Sequence, residues 1–176
     1  MKPIIKTPKL YIWKNSRLYI ASSLTLFRNY TLAWHQLLIS IEGNIQIKCN
    51  NGNVVTTKSC LIRAGTKVDE KQIDTSEAVL AIYYLNPISQ EFAMLKNSMR
   101  PATDSAHYSH PIQDQLARLI RQIRDQALSA NQAYRLVEDA VLEAKLDNME
   151  ANEFDSRIID TIKRIRQTVS EQLSIN

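Results

Sequence analysis

The residues best suited to chemistry in this chain are three histidines and two cysteines, because imidazole and thiolate groups bind metals and move protons. His107 and His110 are three positions apart, which is by itself a weak sign of a metal pair. They lie in a polar stretch, so we predict solvated linker histidines. Cys49 and Cys60 lack the spacing of a metal knuckle, and we predict reduced, buried thiols. We predict no metal site, no cofactor and no catalytic residue.

The third histidine, His35, has the same parity as the apolar residues that follow it in a predicted strand. A lone histidine in that position is either a hydrogen-bonded core residue or a contact that orients a small polar ligand. Large aromatic side chains with one polar end offer the same two alternatives. An arginine at a strand end either pairs with a carboxylate or phosphate or is a surface charge. The candidate ligand-binding residues chosen on these grounds are His35, Tyr83, Tyr19, Trp13 and Arg63.

The charge of the chain argues against direct binding to nucleic acid. Residues 1–110 carry 13 Lys and Arg against 7 Asp and Glu, and residues 111–176 carry 9 against 11, which together return the totals of 22 and 18. A mildly basic first part attracts anions, but the dense basic face of a nucleic-acid reader is missing. The sequence has no glycine-rich phosphate loop, no nucleophile elbow and no CxxC motif. We see no signal peptide and no apolar run that could span a membrane, so we expect a cytoplasmic protein.

Turn signals divide the first half of the chain into short strands. Asn50–Asn53 is a strong hairpin turn, because Asn and Gly tolerate positive φ, and Gly43 and Gly65 lie in two further turns. Short strands separated by such turns are typical of either a β-barrel or a β-sandwich. The predicted strands are 9–14, 17–26, 31–41, 45–50, 54–58, 60–63 and 78–85.

After residue 87 the pattern becomes helical, and no glycine follows Gly65. We predict a short helix over 88–99, a polar linker over 101–110, and a hairpin of two antiparallel helices over 111–129 and 132–148. The first hairpin helix has an apolar stripe that either packs on the β domain or pairs with its copy in a second subunit. The part of that stripe considered for a dimer contact is Leu116, Leu119, Ile120 and Ile123.

The last residues of the sequence open like a helix, because Asp155 is a suitable N-cap and isoleucines follow it at helical spacing. The isoleucine stripe has nothing to cover before the sequence ends. We therefore expect this helix to be the first element of a further domain, and to be frayed or packed against a neighbouring molecule.

This last segment resembles the entry to the DNA-binding domain of AraC-family transcription regulators. Its residues that match in kind and spacing are Asp155, Arg157, Ile158, Ile162, Ile165, Leu173, Ser174 and Ile175. Three earlier segments resemble the amino-terminal domain of the same family. They are His35–Leu38 leading into Glu42 and Gly43, Leu61–Gly65, and Tyr83–Pro87.

The resemblance implies an α+β fold: a small cupin-like β-barrel (a double-stranded β-helix), then an α-helical hairpin and a C-terminal linker helix. It implies a sensor barrel over 1–87, a helical dimerisation region over 88–150, and, over 151–176, a linker with the first helix of a truncated helix-turn-helix domain. The implied function is that of an effector-binding and dimerisation domain. It would sense an unknown small molecule, form a homodimer, and reach promoter DNA only through a C-terminal domain that is absent from this chain.

The resemblance also bears on enzyme activity, because catalytic cupins hold a metal through a His-x-His…Glu set and a later histidine. Here Leu37 stands two positions after His35, and Thr66–Asp69 occupies the place of the later histidine. We therefore expect a protein that is not an enzyme. The alternative from another class is a stand-alone cupin-like enzyme, an isomerase or a dioxygenase. A third possibility is a protein-interaction domain whose helices bind a different partner.

Overall fold

The fold was obtained as a computed structural model. It describes residues 8–14, 16–21, 31–69, 71–88, 91–126, 128–137 and 140. All of these belong to one compact unit, Met1–Ala140. The predictions for 151–176, and for the part of the second hairpin helix after residue 140, lie outside the described residues.

The described residues form ten strands and three short helices. The strands are β1 (Lys9–Ile12), β2 (Ser16–Ile20), β3 (His35–Glu42), β4 (Ile45–Lys48), β5 (Val54–Thr57), β6 (Ser59–Ile62), β7 (Ile73–Asp74), β8 (Val79–Leu85), β9 (Arg100–Pro101) and β10 (Ala106–Tyr108). The helices are α1 (Glu91–Asn97), α2 (Gln113–Asp125) and a third helix described over 130–137 and at 140.

The strands make two antiparallel sheets. The larger has seven strands in the order β1-β2-β8-β3-β6-β10-β9, and the smaller has three in the order β5-β4-β7. The small sheet packs on one face of the large one, because Ile45 and Ile47 of β4 share a buried cluster with Leu38 of β3 and Ile82 of β8. We call this the inner face of the large sheet. The opposite, outer face meets the helices.

Strand β3 is the central element, and all of its residues from His35 to Ile41 are buried. Successive side chains of a strand point to opposite faces, so Gln36 and Leu38 lie on the inner face while His35 and Leu37 lie on the outer face. Strand β3 is therefore buried on both faces, although His35, Gln36 and Ser40 are polar. Changes at one face of β3 therefore meet packed structure on the other.

Helix α2 covers the outer face. Its residues Leu116, Ile120 and Ile123 have no exposed surface, and the helix packs on β3. Its last turn is held by Lys9, whose Nζ donates to the carbonyl oxygens of Ile123 at 3.1 Å and Gln126 at 2.7 Å. These bonds satisfy carbonyl groups that the helix itself leaves without partners.

The predicted cupin-like α+β fold is wrong. In the part of the chain that the structure describes, the large sheet is not closed into a barrel, because β1 and β9 are its two edges and the small sheet is separate. The pattern of short strands allowed a barrel or a sandwich, and the arrangement is a sandwich. The structure also does not show a helical hairpin followed by a linker helix in these residues; it shows three short helices instead.

The predicted polar linker over 101–110 is also wrong, and with it the solvated histidines. This segment contains β10, which pairs with β6 and with β9 and so extends the large sheet. His107 and His110 are only 5% and 1% exposed. Strand β10 is three residues long and carries no clear alternation, so its sequence gives little sign of it.

Candidate functional site

His35 has the environment of a hydrogen-bonded core residue. Its ring stacks on Phe92 of α1 with centroids 4.1 Å apart, and its Nδ1 accepts a hydrogen bond from the Ala64 backbone N–H at 2.8 Å. The Pro87 backbone bonds the same ring, while burial lowers the pKa of His35 and outweighs that bond. The contacts of this imidazole thus hold α1 and the end of β6 against the outer face.

Two other predicted ligand contacts, Trp13 and Tyr83, lie together on the outer side, with ring centroids 6.5 Å apart. Trp13 also packs on Tyr134 of the third helix at 5.2 Å, and its Nε1 donates to the Ala130 carbonyl at 2.8 Å. These contacts attach the third helix to the sheet. The interactions of Trp13 are therefore those of a packing residue.

The remaining two candidates lie elsewhere. Tyr19 packs against the buried cluster on the inner face, and Arg63 is exposed just after β6. The structure thus does not bring the five predicted residues to one place. It brings Trp13 and Tyr83 together and separates Tyr19 from them by the thickness of the sheet.

The predicted dimer residues are mostly used within the chain. Leu116, Ile120 and Ile123 are fully buried against the chain's own sheet, and only Leu119 is half-buried. This packing accounts for the apolar stripe without a second subunit. A dimer contact through α2 remains a prediction, and of the four residues only Leu119 has surface to contribute.

The prediction of reduced, buried thiols fits Cys60 better than Cys49. Both thiols are free, but Cys60 is fully buried in the core whereas Cys49 is half-buried. Burial raises the pKa of the Cys60 thiol. Since the thiolate is the reactive form, Cys60 is chemically inert in the folded protein.

Gln36, which is not among the site residues predicted from the sequence, has the most unusual environment on the inner face. It is only 4% exposed, and its Oε1 is buried without a hydrogen-bond partner. Its neighbours in register are Tyr84 of β8 on one side and Ile62 of β6 on the other. A buried polar group without a partner costs about 1–3 kcal/mol, so it needs a reason to be there.

Next to Gln36 lies a cationic and aromatic surface. Arg17 of β2 pairs with the other side of Tyr84, and its guanidinium lies over the Trp34 ring at 4.7 Å from the centroid. Exposure falls from Arg17, which is exposed, through Trp34 and Tyr84, which are half-buried, to the buried Gln36. We call these four residues, Arg17, Trp34, Gln36 and Tyr84, the Gln36 site.

The Gln36 site combines a cation at the solvent side, two large aromatic side chains and one buried amide acceptor. Ligand sites in proteins commonly combine apolar side chains with a few polar groups of this kind. Within the described ranges, no group of three or more His, Cys, Asp or Glu residues could hold a metal ion.

Two surface clefts lie elsewhere, on either side of the β4–β5 turn. They have volumes of about 360 and 290 Å³ and share Cys49 and Asn50 in their walls. The larger is walled by neutral residues of the turn, by residues 101–103 and by Tyr108. Neither cleft includes a residue of the Gln36 site, and neither contains a buried polar atom without a partner among those described.

The sequence did carry a signal for Gln36. Strand alternation puts it on the face opposite His35, beside the apolar Leu38, where a glutamine is unusual. The difference between the two side chains lies in their partners, which come from remote segments and cannot be read from local spacing.

Comparison with known proteins adds no assignment: no protein-family model matches this chain, and no curated protein matches it. Among the described residues, no helix is long and apolar enough to cross a membrane.

Proposed function

We propose that this chain is the effector-binding and dimerisation region of a transcription regulator, and that its effector binds between the two sheets at the Gln36 site. The sequence resemblance to the AraC family, in particular the segment from Asp155 to Ile175, supports the regulatory part of the proposal. In such a regulator, contact with promoter DNA belongs to a helix-turn-helix domain.

The observation that carries the proposal is the unpartnered, buried Oε1 of Gln36. A methionine or leucine at this position would fill the same space without an unsatisfied acceptor, and would make the free protein more stable. Proteins accept such costs at functional sites, where activity and stability compete. A ligand that donates a hydrogen bond to Gln36 removes the cost when it binds.

The position of the site also supports a sensing role. Gln36 lies on β3, and its neighbour in sequence, His35, stacks on Phe92 of α1 on the opposite face. Helix α2 packs on the same strand. A ligand that favours one position of β3 therefore also favours one position of α1 and α2, provided that it binds the two states with different affinity.

A thermal-shift screen of the full chain against a broad metabolite library tests the proposal. A ligand present at a concentration one hundred times its dissociation constant adds about 2.7 kcal/mol to the free energy of unfolding, which a melting curve resolves. We expect at least one compound to raise the Tm in proportion to the logarithm of its concentration. We also expect chromatography to recover that compound unchanged, which separates a sensor from an enzyme.

Two different results would contradict the proposed function. If no compound of any chemical class raises the Tm, the effector-binding role is lost. If the bound compound is converted during incubation, the chain acts as an enzyme and the sensor role is replaced.

A further inference from the structure

We infer that the ligand of the Gln36 site is a small organic anion that also carries a hydrogen-bond donor, with its anionic group on Arg17 and its donor on Gln36. This inference rests on the proposed function and adds the chemical class of the effector.

Arg17 accounts for the anionic group of the ligand. Its guanidinium carbon lies over the Trp34 ring at 4.7 Å from the centroid, and its N–H groups suit a planar carboxylate or a phosphate. Arg124 and Lys58, by contrast, already have carboxylate partners at 2.6 and 2.9 Å. Among the described residues, no carboxylate forms an ion pair with Arg17.

The donor follows from Gln36. Its Oε1 is an acceptor, it is buried, and no described residue donates to it. An N–H or O–H group of a bound molecule would satisfy a carbonyl oxygen in that position. A purely apolar anion, such as a short fatty acid, would leave the acceptor unsatisfied and would bind less tightly.

The spacing of the two groups suits one small molecule. Arg17 and Gln36 pair with opposite sides of Tyr84, so their Cα atoms are two strand spacings apart, about 10 Å. The stacking of Arg17 on Trp34 brings its guanidinium towards β3, because Trp34 directly precedes that strand. A compact ligand therefore spans the distance with the Tyr84 ring between its two ends.

The charge distribution of residues 1–110 also favours an anionic ligand. Residues 1–110 carry 13 cationic against 7 anionic side chains, so this part of the chain attracts anions over a distance and repels cations. An amine ligand would have to approach Arg17 against that field.

The test compares matched probes on the full chain. A graded series of straight-chain hydroxycarboxylates is titrated by calorimetry together with the primary amide of each acid and the carboxylate that lacks the hydroxyl. The strongest binders of the metabolite library are titrated alongside. We expect the anions with a donor to bind about tenfold or more tightly than either analogue, and their affinity to fall as salt is added.

Two substitutions locate the binding. Gln36→Met keeps the length of the side chain and removes the acceptor, and Arg17→Gln removes the cation. Each substitution should lower the affinity for the anion by about tenfold or more. The controls are Gln115→Met and Arg118→Gln, both at exposed positions of α2, and they should leave the affinity within about twofold of the wild type. Gln36→Met should also raise the Tm of the free protein, since it removes an unsatisfied polar group.

Three results overturn the inference while leaving the effector-binding role intact: neutral or cationic compounds bind best, the deoxy acids bind as tightly as the hydroxy acids, or both site variants behave like their controls. A lower Tm for free Gln36→Met would show that the protein itself satisfies the amide, which also overturns it. If no compound of any class binds, the proposed function fails together with the inference.

Discussion

His110 is a buried histidine whose charge state the fold controls. It is 1% exposed, its Nδ1 accepts from the Ile112 N–H at 3.4 Å, and its Nε2 has no partner. The Ser59 hydroxyl accepts from its backbone N–H at 2.7 Å and fixes its position before α2. Because burial penalises the charged imidazolium, the pKa of His110 falls from its ordinary value of 6.5 to about 4.

This lowered pKa predicts that the protein loses stability in mild acid. The folded state binds the proton less readily than the unfolded chain, so the contribution of His110 is fully present above pH 6.5 and is lost as the pH falls from 6.5 towards 4. The full contribution is about 3 kcal/mol, since each pKa unit corresponds to about 1.4 kcal/mol. Urea unfolding at pH 7.5, 6 and 5 measures this loss, of which about 2 kcal/mol is expected by pH 5.

The control for this prediction is His110→Asn, whose Oδ1 can accept from the Ile112 N–H but does not titrate. Its unfolding free energy should depend less steeply on pH between 7 and 5. An equally steep dependence would assign the effect to His35 and His107, since burial lowers the pKa of both of these histidines too.

At this scale the sequence predicted residue types better than their partners. Parity correctly put His35 in the strand and on an apolar face, and one of its two interpretations, the core residue, matches its surroundings. The unsatisfied acceptor of Gln36 could not be predicted, because it depends on which residues of β6 and β8 pair beside it, here Ile62 and Tyr84. Such information exists only after strands distant in sequence have paired.

Among the elements, the turns at Gly43 and Gly52 allow a matched test. Both glycines have positive φ, 74° and 83°, which side-chain-bearing residues rarely adopt. A Cβ on Gly43 would lie 2.0 Å from the backbone oxygen of Glu77, whereas a Cβ on Gly52 would meet nothing within 4 Å.

We therefore predict unequal costs for two identical substitutions. Gly52→Ala should cost about 1 kcal/mol, the conformational penalty alone. Gly43→Ala should cost roughly 3 kcal/mol or more, because the backbone of the neighbouring turn must also move. Chemical unfolding of both variants gives the comparison, and equal losses would show that the turn at Gly43 has room to relax.

The strands confirm the alternation pattern where it was strong. Strand β4 buries Ile45 and Ile47 and exposes Gln46 and Lys48, as predicted, and the predicted strands 54–58, 60–63 and 78–85 match β5, β6 and β8 closely. The three strands that were missed, β7, β9 and β10, have two or three residues each. A strand so short shows no period of its own and is defined by the partner that it pairs with.

At the scale of the molecule, the same limit explains the wrong fold class. Alternation says which side chains are buried, but it does not say whether the two edges of a sheet meet. Here the segment after residue 97 continues the large sheet through β10 and β9 beyond β6, and the small sheet packs across it. A family resemblance carried by short turn and strand motifs cannot distinguish that arrangement from a barrel.

The last prediction separates the two uses of α2, folding and dimerisation. Ile120 has no exposed surface, so Ile120→Ala should cost about 2–5 kcal/mol of unfolding free energy whatever the oligomeric state.

Leu119 is half-buried on the same helix. If a dimer forms through the outward side of α2, Leu119→Lys should convert it to a monomer and leave the unfolding free energy of that monomer within about 1 kcal/mol of the wild type. Light scattering over a range of concentrations measures the mass, with the exposed Arg118→Gln as the control. A wild-type dimer that persists in Leu119→Lys would place the subunit contact away from this helix, and a wild-type monomer would remove the dimerisation part of the proposed function.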